Sequence, residues 1–341
     1  MQFRKRSSRT LNLALQGGGA HGAFTWGVLD GLLEDGRIRF DGVSGTSAGA
    51  MNAVALAQGL MSGGPDSARA ALQTFWTAVA GSVPAEMTVA SDDGASVSLA
   101  PMVQLMLQWA HYFSPAQINP FDLNPLRDII SAQIDFERLR RDSPVKLFIA
   151  ATHANSGKLK VFREHEVSAD ALLASACLPT VHRAIEIDGE PYWDGGYAAN
   201  PAVFPLFFDC AAHDILLVML APLKHSETPS SATDIRTRVL EIAFNATFLR
   251  EMRMFAHFRE RLGGTWFTLG RYERRLARTH FHVIEAQDVI GDLKADTKLA
   301  ANLQFFDRLK MLGRERAQAW LRTHHAHIGQ RSTVNLAELF Y

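Results

Sequence analysis

The sequence predicts an α/β domain built on a central, mostly parallel sheet with helices over both faces. Three observations carry that expectation. Runs rich in β-branched and aliphatic residues recur at 11–15, 41–44, 145–151, 158–162, 184–188, 214–220 and 281–285, and helical patterns separate most of them, as a parallel sheet requires. Two glycine clusters sit where such a run hands over to a helical pattern. With 341 residues, 47% of them hydrophobic and 21% charged, the chain can bury a large core.

Residues 1–10, "MQFRKRSSRT", form a basic tail. The "LNLAL" that follows reads as the first strand. Interrupted by Asn12, it is too short for the apolar core of a signal peptide, and no uninterrupted apolar run approaches the ~20 residues of a membrane span. Residues 11–341 are expected to form a single domain. Residues 81–125 interrupt it with a small polar loop, "SDDGASVS", then Met102, Leu105, Met106, Trp109, Tyr112 and Phe113 at helical spacing, then the Pro-rich "FSPAQINPFDLNP". This insertion reads as a helical cap, although a stripe of methionines and aromatics commonly packs into a core. "EIDGEPYW" reads as a hairpin turning at Asp188-Gly189. Residues 222–341 are expected to complete the outer helices. They include a long helix over 234–262, whose arginines at 236, 238, 250, 253, 259 and 261 alternate with acids as on a solvated face, and a late strand in "FHVIEA".

Lys plus Arg and Asp plus Glu both number 35, so the formal net charge is zero and no global field favours nucleic acid. Cys177 and Cys210 are too few for a disulfide framework and lie at no metal-ligand spacing, which suits a reducing, cytoplasmic compartment. Neither a metal nor an organic cofactor is expected.

Gly17, Gly19 and Gly22 in "LALQGGGAHG" fit G-x-G-x-x-G. Bare N–H groups between a strand and a helix hold a pyrophosphate in dinucleotide folds, and equally a developing oxyanion in acyl transfer. The second strand ends not in a ribose-binding acid but in Gly45-Thr46-Ser47-Ala48-Gly49. A G-x-S-x-G turn from strand to helix puts its serine on a sharp bend with the hydroxyl clear of both elements, and the helix N-terminus favours negative charge there. The plain alternative is that Ser47 caps its helix. A nucleophile beside a donor array suits acyl transfer; an oxidoreductase using the Gly17–Gly22 loop is the reading from another class.

The serine needs a base. In the order Ser, Asp, His the candidates are Asp209 or Asp214 with His257, His280 or His282, but an elbow after only the second strand leaves that sheet incomplete. The other candidate is Asp194 in "YWDGGYAANP", a strand-end carboxylate followed by two glycines that let other groups approach it. A hairpin turn at Asp194-Gly195 is the plain alternative.

Gly17 to Gly22, Gly45 to Gly49, Asp194-Gly195-Gly196 and the following Asn200-Pro201 occur in one order at suitable spacing. Over residues 10 to 220 the chain resembles the patatin-like lipid acyl hydrolases. The resemblance implies a three-layer α/β/α fold and a serine carboxylic-ester hydrolase using a Ser47–Asp194 dyad without histidine. It also implies an oxyanion hole at Gly17, Gly18, Gly19 and Gly22. The implied substrate is an acyl ester or lipid, reached by peripheral contact with a membrane or lipid particle; hydroxyacyl oligomers or a storage polyester are the alternative. In that frame the cap lines an acyl channel or rests on a lipid surface, with Met102, Leu105, Met106 and Trp109 as substrate contacts. One departure is His21, where the family usually has Arg or Lys. With a reference pKa of ~6.5 it would be partly charged at neutral pH and is a candidate substrate contact; the plain alternative is a histidine bonded to a nearby carbonyl.

Overall fold

A computed structural model describes residues 8–90, 97–110, 112–225, 227–262, 270–293 and 295–341, and their side chains except at 85, 90, 106–110 and 295. The strands are β1 (Arg9–Leu15), β2 (Ile38–Thr46), β3 (Thr88–Ala90), β4 (Val97–Leu99), β5 (Lys146–His153), β6 (Leu159–Arg163), β7 (Ile185–Ile187), β8 (Glu190–Asp194), β9 (Asp214–Val218) and β10 (His280–Ile284). One sheet has the order β10-β9-β1-β2-β5-β8-β7, with β6 also paired to β5. From β10 to β5 the neighbours are parallel. Strands β6 and β8 run antiparallel to β5, and β7 antiparallel to β8. The hairpin turns at Asp188-Gly189, both at positive φ, so the Asp194-Gly195 pair is not that turn.

The period-two side-chain alternation of the strands divides two cores. Leu11, Leu13 and Leu15 of β1, Leu147 and Ile149 of β5, and Leu216 and Val218 of β9 face one. Ala14, Phe148, Ile215 and Leu217 face the other. The first core is closed by α1 (Gly22–Asp35), α2 (Ala48–Gly63), α3 (Pro65–Gly81) and further helices introduced below. Asn12, the residue that interrupts "LNLAL", is fully buried. It sits where the β1–β2 register slips, accepting from the Gly42 N–H (3.1 Å) and donating to Ala212 O (3.0 Å), so the polar residue in an apolar strand joins its neighbours on both sides.

The insertion contains the β3–β4 hairpin, α4 (Pro101–Ala110) and the short α5 (Pro115–Ile118). Residues 91–96 of its polar loop lie outside the described residues. Helix α4 ends before Tyr112 and Phe113, which the sequence had placed on the same helical stripe. Met102, Leu105, Tyr112 and Phe113 are exposed, so the core reading of those four residues is corrected; the side chains of Met106 and Trp109 lie outside the described ones.

After the insertion come α6 (Pro125–Gln133), α7 (Phe136–Asp142), α8 (Ala169–Ser175), α9 (Phe204–Asp209), α10 (Ala232–Leu262), α11 (Arg271–Arg278), α12 (Gln287–Ile290), α13 (Leu303–His324) and α14 (Leu336–Phe340). Buried residues of α13 join the first core, and those of α9, α10 and α14 form the second. The result is helix, sheet and helix in three layers. Among the described residues no helix is long and apolar enough to cross a membrane.

Candidate active site

Ser47 lies between the last residue of β2 and the first of α2, at φ 53° and ψ −122°. A non-glycine residue rarely holds this conformation, so the bend stores strain that the surroundings must fix. Three groups do so. The Ser47 N–H donates to Ser175 Oγ at 2.9 Å, its carbonyl accepts from the Met51 N–H at 3.1 Å, and a Cβ at Gly49 would collide with the Leu15 carbonyl. Glycine at 49 therefore lets the helix start against the end of β1. Ser47 remains partly exposed at the α2 N-terminus, where first-turn N–H groups lack intrahelical acceptors.

Asp194 ends β8 and pairs with Ala151 of β5. Its N–H donates to Cys177 O (2.7 Å) and its carbonyl accepts from Thr152 Oγ1 (2.8 Å). A Cβ at Gly195 would run into the Ala150 carbonyl, so only glycine lets the chain turn back over β5 and bring the Gly196 N–H onto Asp194 Oδ1 at 2.7 Å. The Ser47 hydroxyl lies close enough to the Asp194 carboxyl to act on its proton affinity. Burial raises its pKa to about 7, against the opposing pull of the Gly196 N–H and the Ser47 hydroxyl.

The glycine loop runs alongside. A Cβ at Gly17 would lie 3.0 Å from Ser47 Cβ. The Gly17 N–H is taken by Asn200 Oδ1 at 2.7 Å, and that of Gly22 by the carbonyls of Gly19 and Ala20. Gly22 instead packs against Ala48 and Trp76. Among the described residues the N–H groups of Gly18 and Gly19 have no protein acceptor, and these two glycines are half-buried and exposed.

His21 differs from expectation. It is buried, its Nε2 lies 2.7 Å from Thr297 Oγ1, and its ring meets Phe305 edge-on. Burial, helped by the charge of Lys298, pushes its pKa down to about 3, so it is neutral at neutral pH. The Ser, Asp, His alternative fares no better. His282 Nε2 does reach Asp214 Oδ1 at 3.0 Å, but Asp214 begins β9 whereas Ser47 follows the end of β2, at the opposite edge of parallel strands.

The family profile of the patatin-like phospholipases matches residues 13–207, which hold all of these turns. The chain belongs to the patatin-like phospholipase family. Members are carboxylic ester hydrolases acting on acyl lipids, so the dinucleotide reading of the Gly17–Gly22 loop is set aside. A structural neighbour is VipD from Legionella pneumophila, 14% identical over 98% of this chain and 73% of that one, with a TM-score of 0.43. No curated protein matches the sequence.

Several residues around the patatin-like site carried no signal along the chain. Gln16 accepts from the Leu220 (2.6 Å) and Ala221 (2.8 Å) N–H groups and donates to Asn245 Oδ1 (3.0 Å). Phe244 of α10 covers Gly196 and meets the Tyr197 ring at a tilt of 51°, with ring centroids 4.4 Å apart. One turn earlier on α10, Glu241 meets Lys298 Nζ and His225 Nε2, each at 3.3 Å, and the Lys298 carbonyl abuts Gly19. Helix α10 thus also walls the site, while Arg236, Arg250, Arg253 and Arg261 on it are exposed as a solvated face requires. A cavity of about 450 Å³ toward the C-terminal half of α10 is lined by Phe204, Phe207, Phe255, Phe258 and Glu251. Its carboxyl is committed to the Val203 and Phe204 N–H groups.

Proposed function

We propose that this chain hydrolyses lipid acyl esters through a Ser47–Asp194 dyad and an acyl-enzyme. The strained Ser47 turn beside a buried carboxyl whose pKa stands near neutrality and responds to the Ser47 hydroxyl carries the reading, because a general base works best when its pKa lies near the working pH. Ionised Asp194 takes the Ser47 proton as Oγ bonds to the ester carbonyl carbon. The N–H groups of Gly18 and Gly19 receive the oxyanion, with the α2 N-terminus adding to the field. Collapse breaks the bond to the alcohol, which leaves with the proton from Asp194. Water then attacks the acyl-enzyme and gives its proton to Asp194, which passes it to Ser47 Oγ as the bond to the acyl carbon breaks and the acid leaves.

No step calls for a metal or cofactor. The substrate sits in a lipid phase that the enzyme meets by peripheral contact. Two free, buried cysteines support a reducing, cytoplasmic setting.

Ser47→Ala and Asp194→Asn are expected to lower turnover of a chromogenic acyl ester by roughly 10³-fold or more with unchanged circular dichroism. A fluorophosphonate probe is expected to label the parent chain and not Ser47→Ala. Full activity in either variant overturns the dyad.

A further inference from the structure

The cap tip inverts the usual economy of a surface loop. Its polar groups are satisfied internally while its apolar side chains stand in water. Ser114 and Gln117 close a capping box around α5. Asn119 holds Leu123 from both sides, Nδ2 donating to Leu123 O at 2.8 Å and Oδ1 accepting from its N–H at 3.0 Å. The loop is therefore already formed, yet Tyr112, Phe113, Ile118, Phe121 and Leu123 are between 47% and 84% exposed. Five large apolar side chains held outward within twelve residues are far more than scattered surface apolars.

The tip is tied to the rim of the site. Arg183 Nη2 donates to Pro120 O (3.0 Å) and Asn119 O (3.3 Å). The Arg183 carbonyl accepts from Cys177 Sγ (2.9 Å), and Cys177 O holds the Asp194 N–H. Charge then selects the occupant. Residues 70–126 contain no Lys or Arg and carry Glu86, Asp92, Asp93 and Asp122. Arg127, the next cation along the chain, pairs with Asp170 at 2.8 Å. Surfaces that seek anionic lipid bring clusters of Lys and Arg to the headgroups, whereas this one brings apolar side chains and the exposed Asp122, with the exposed Arg183 beside them bonded to the tip's own carbonyls.

We propose that the 112–123 tip seats the enzyme on an electrically neutral lipid surface, one of zwitterionic headgroups, beside the entrance to Ser47. The inference rests on the lipid acyl hydrolase reading and adds to it the surface and the contacting residues.

The test measures binding and chemistry separately. Full-length Ser47→Ala protein is sedimented with phosphatidylcholine vesicles and with vesicles that also contain phosphatidylserine, alongside the same protein carrying Phe121→Ser and Leu123→Ser. The parent is expected to bind phosphatidylcholine with no gain from phosphatidylserine and little dependence on salt. The double variant is expected to bind roughly tenfold more weakly, and in the Ser47 background to keep parental turnover of a water-soluble acyl ester, which also shows that it folds. No binding to phosphatidylcholine, binding that requires phosphatidylserine, or binding unchanged by the two serines overturns the proposal. A parent chain inert toward the soluble ester fails the hydrolase reading instead, and leaves the vesicle result to be judged by itself.

Discussion

As the proposed base, Asp194 has two opposed demands on it: a base must be ionised, and a carboxyl shut away from water resists ionisation. With its pKa raised to about 7, kcat/KM on a soluble ester is expected to rise with pH through about 7; a profile flat from pH 5 to 9 would contradict this assignment. The same shift has a stability sign. Between the ordinary carboxylate range and about 7 the folded chain holds a proton that the unfolded chain has released, so this group's contribution falls as pH rises through that window and stays low above it. Asp194→Asn is pH-independent there, so its melting temperature is expected to gain on the parent's from pH 5 to pH 8, by an equivalent of up to about 3 kcal/mol. Asn200 acts through the loop rather than on the substrate, since its Oδ1 holds the Gly17 N–H. Asn200→Ala is expected to lower kcat roughly tenfold with KM little changed, and Asn200→Asp, which keeps an acceptor oxygen, to recover part of the loss. Equal losses in both would make Asn200 a packing residue.

Helix α10 shows how an element can be recognised while its role is missed. Its extent was legible, expected over 234–262 and found over Ala232–Leu262. Its arginines suggested only a solvated face, because interleaved charges along a helix look alike whether or not the opposite face meets a turn such as that after Asp194. Phe248, Met252 and Ala256 are buried against the sheet, while Phe244 and Asn245 reach the turn after Asp194 and the end of β1. Phe244→Ala is expected to admit water over Gly196 and Asp194. The acid limb of the pH–rate profile should then move below the parent's midpoint, since better solvation favours the carboxylate. An unmoved limb would mean that Phe244 does not seal the site. The cap misled in the other direction: methionines and aromatics at helical spacing suggest a core, and only exposure separates a core stripe from an outward one.

The three layers depend on residues beyond the family match at 13–207. Strand β9 lies between β1 and β10, and the second core draws Phe248, Met252, Phe281, Leu336 and Phe340 from the remainder. A fragment ending at residue 207 would leave β1 as an edge, uncover that core and lose the Gln16 anchor on Leu220 and Ala221. It is expected to melt without a cooperative transition and to escape fluorophosphonate labelling; a folded, labelled fragment would show that the second half is dispensable. The layered architecture, the serine's bend and the three glycine turns could be read from residues near one another in the chain, because alternation, turn chemistry and helix starts are short-range physics. The protonation of His21 and the choice of Gly18 and Gly19 as open donors could not. The first follows from burial beside the charge of Lys298, and the second from Asn200, 183 positions from Gly17, which takes that glycine's N–H. Burial and hydrogen-bond competition exist only once folding has brought such groups together.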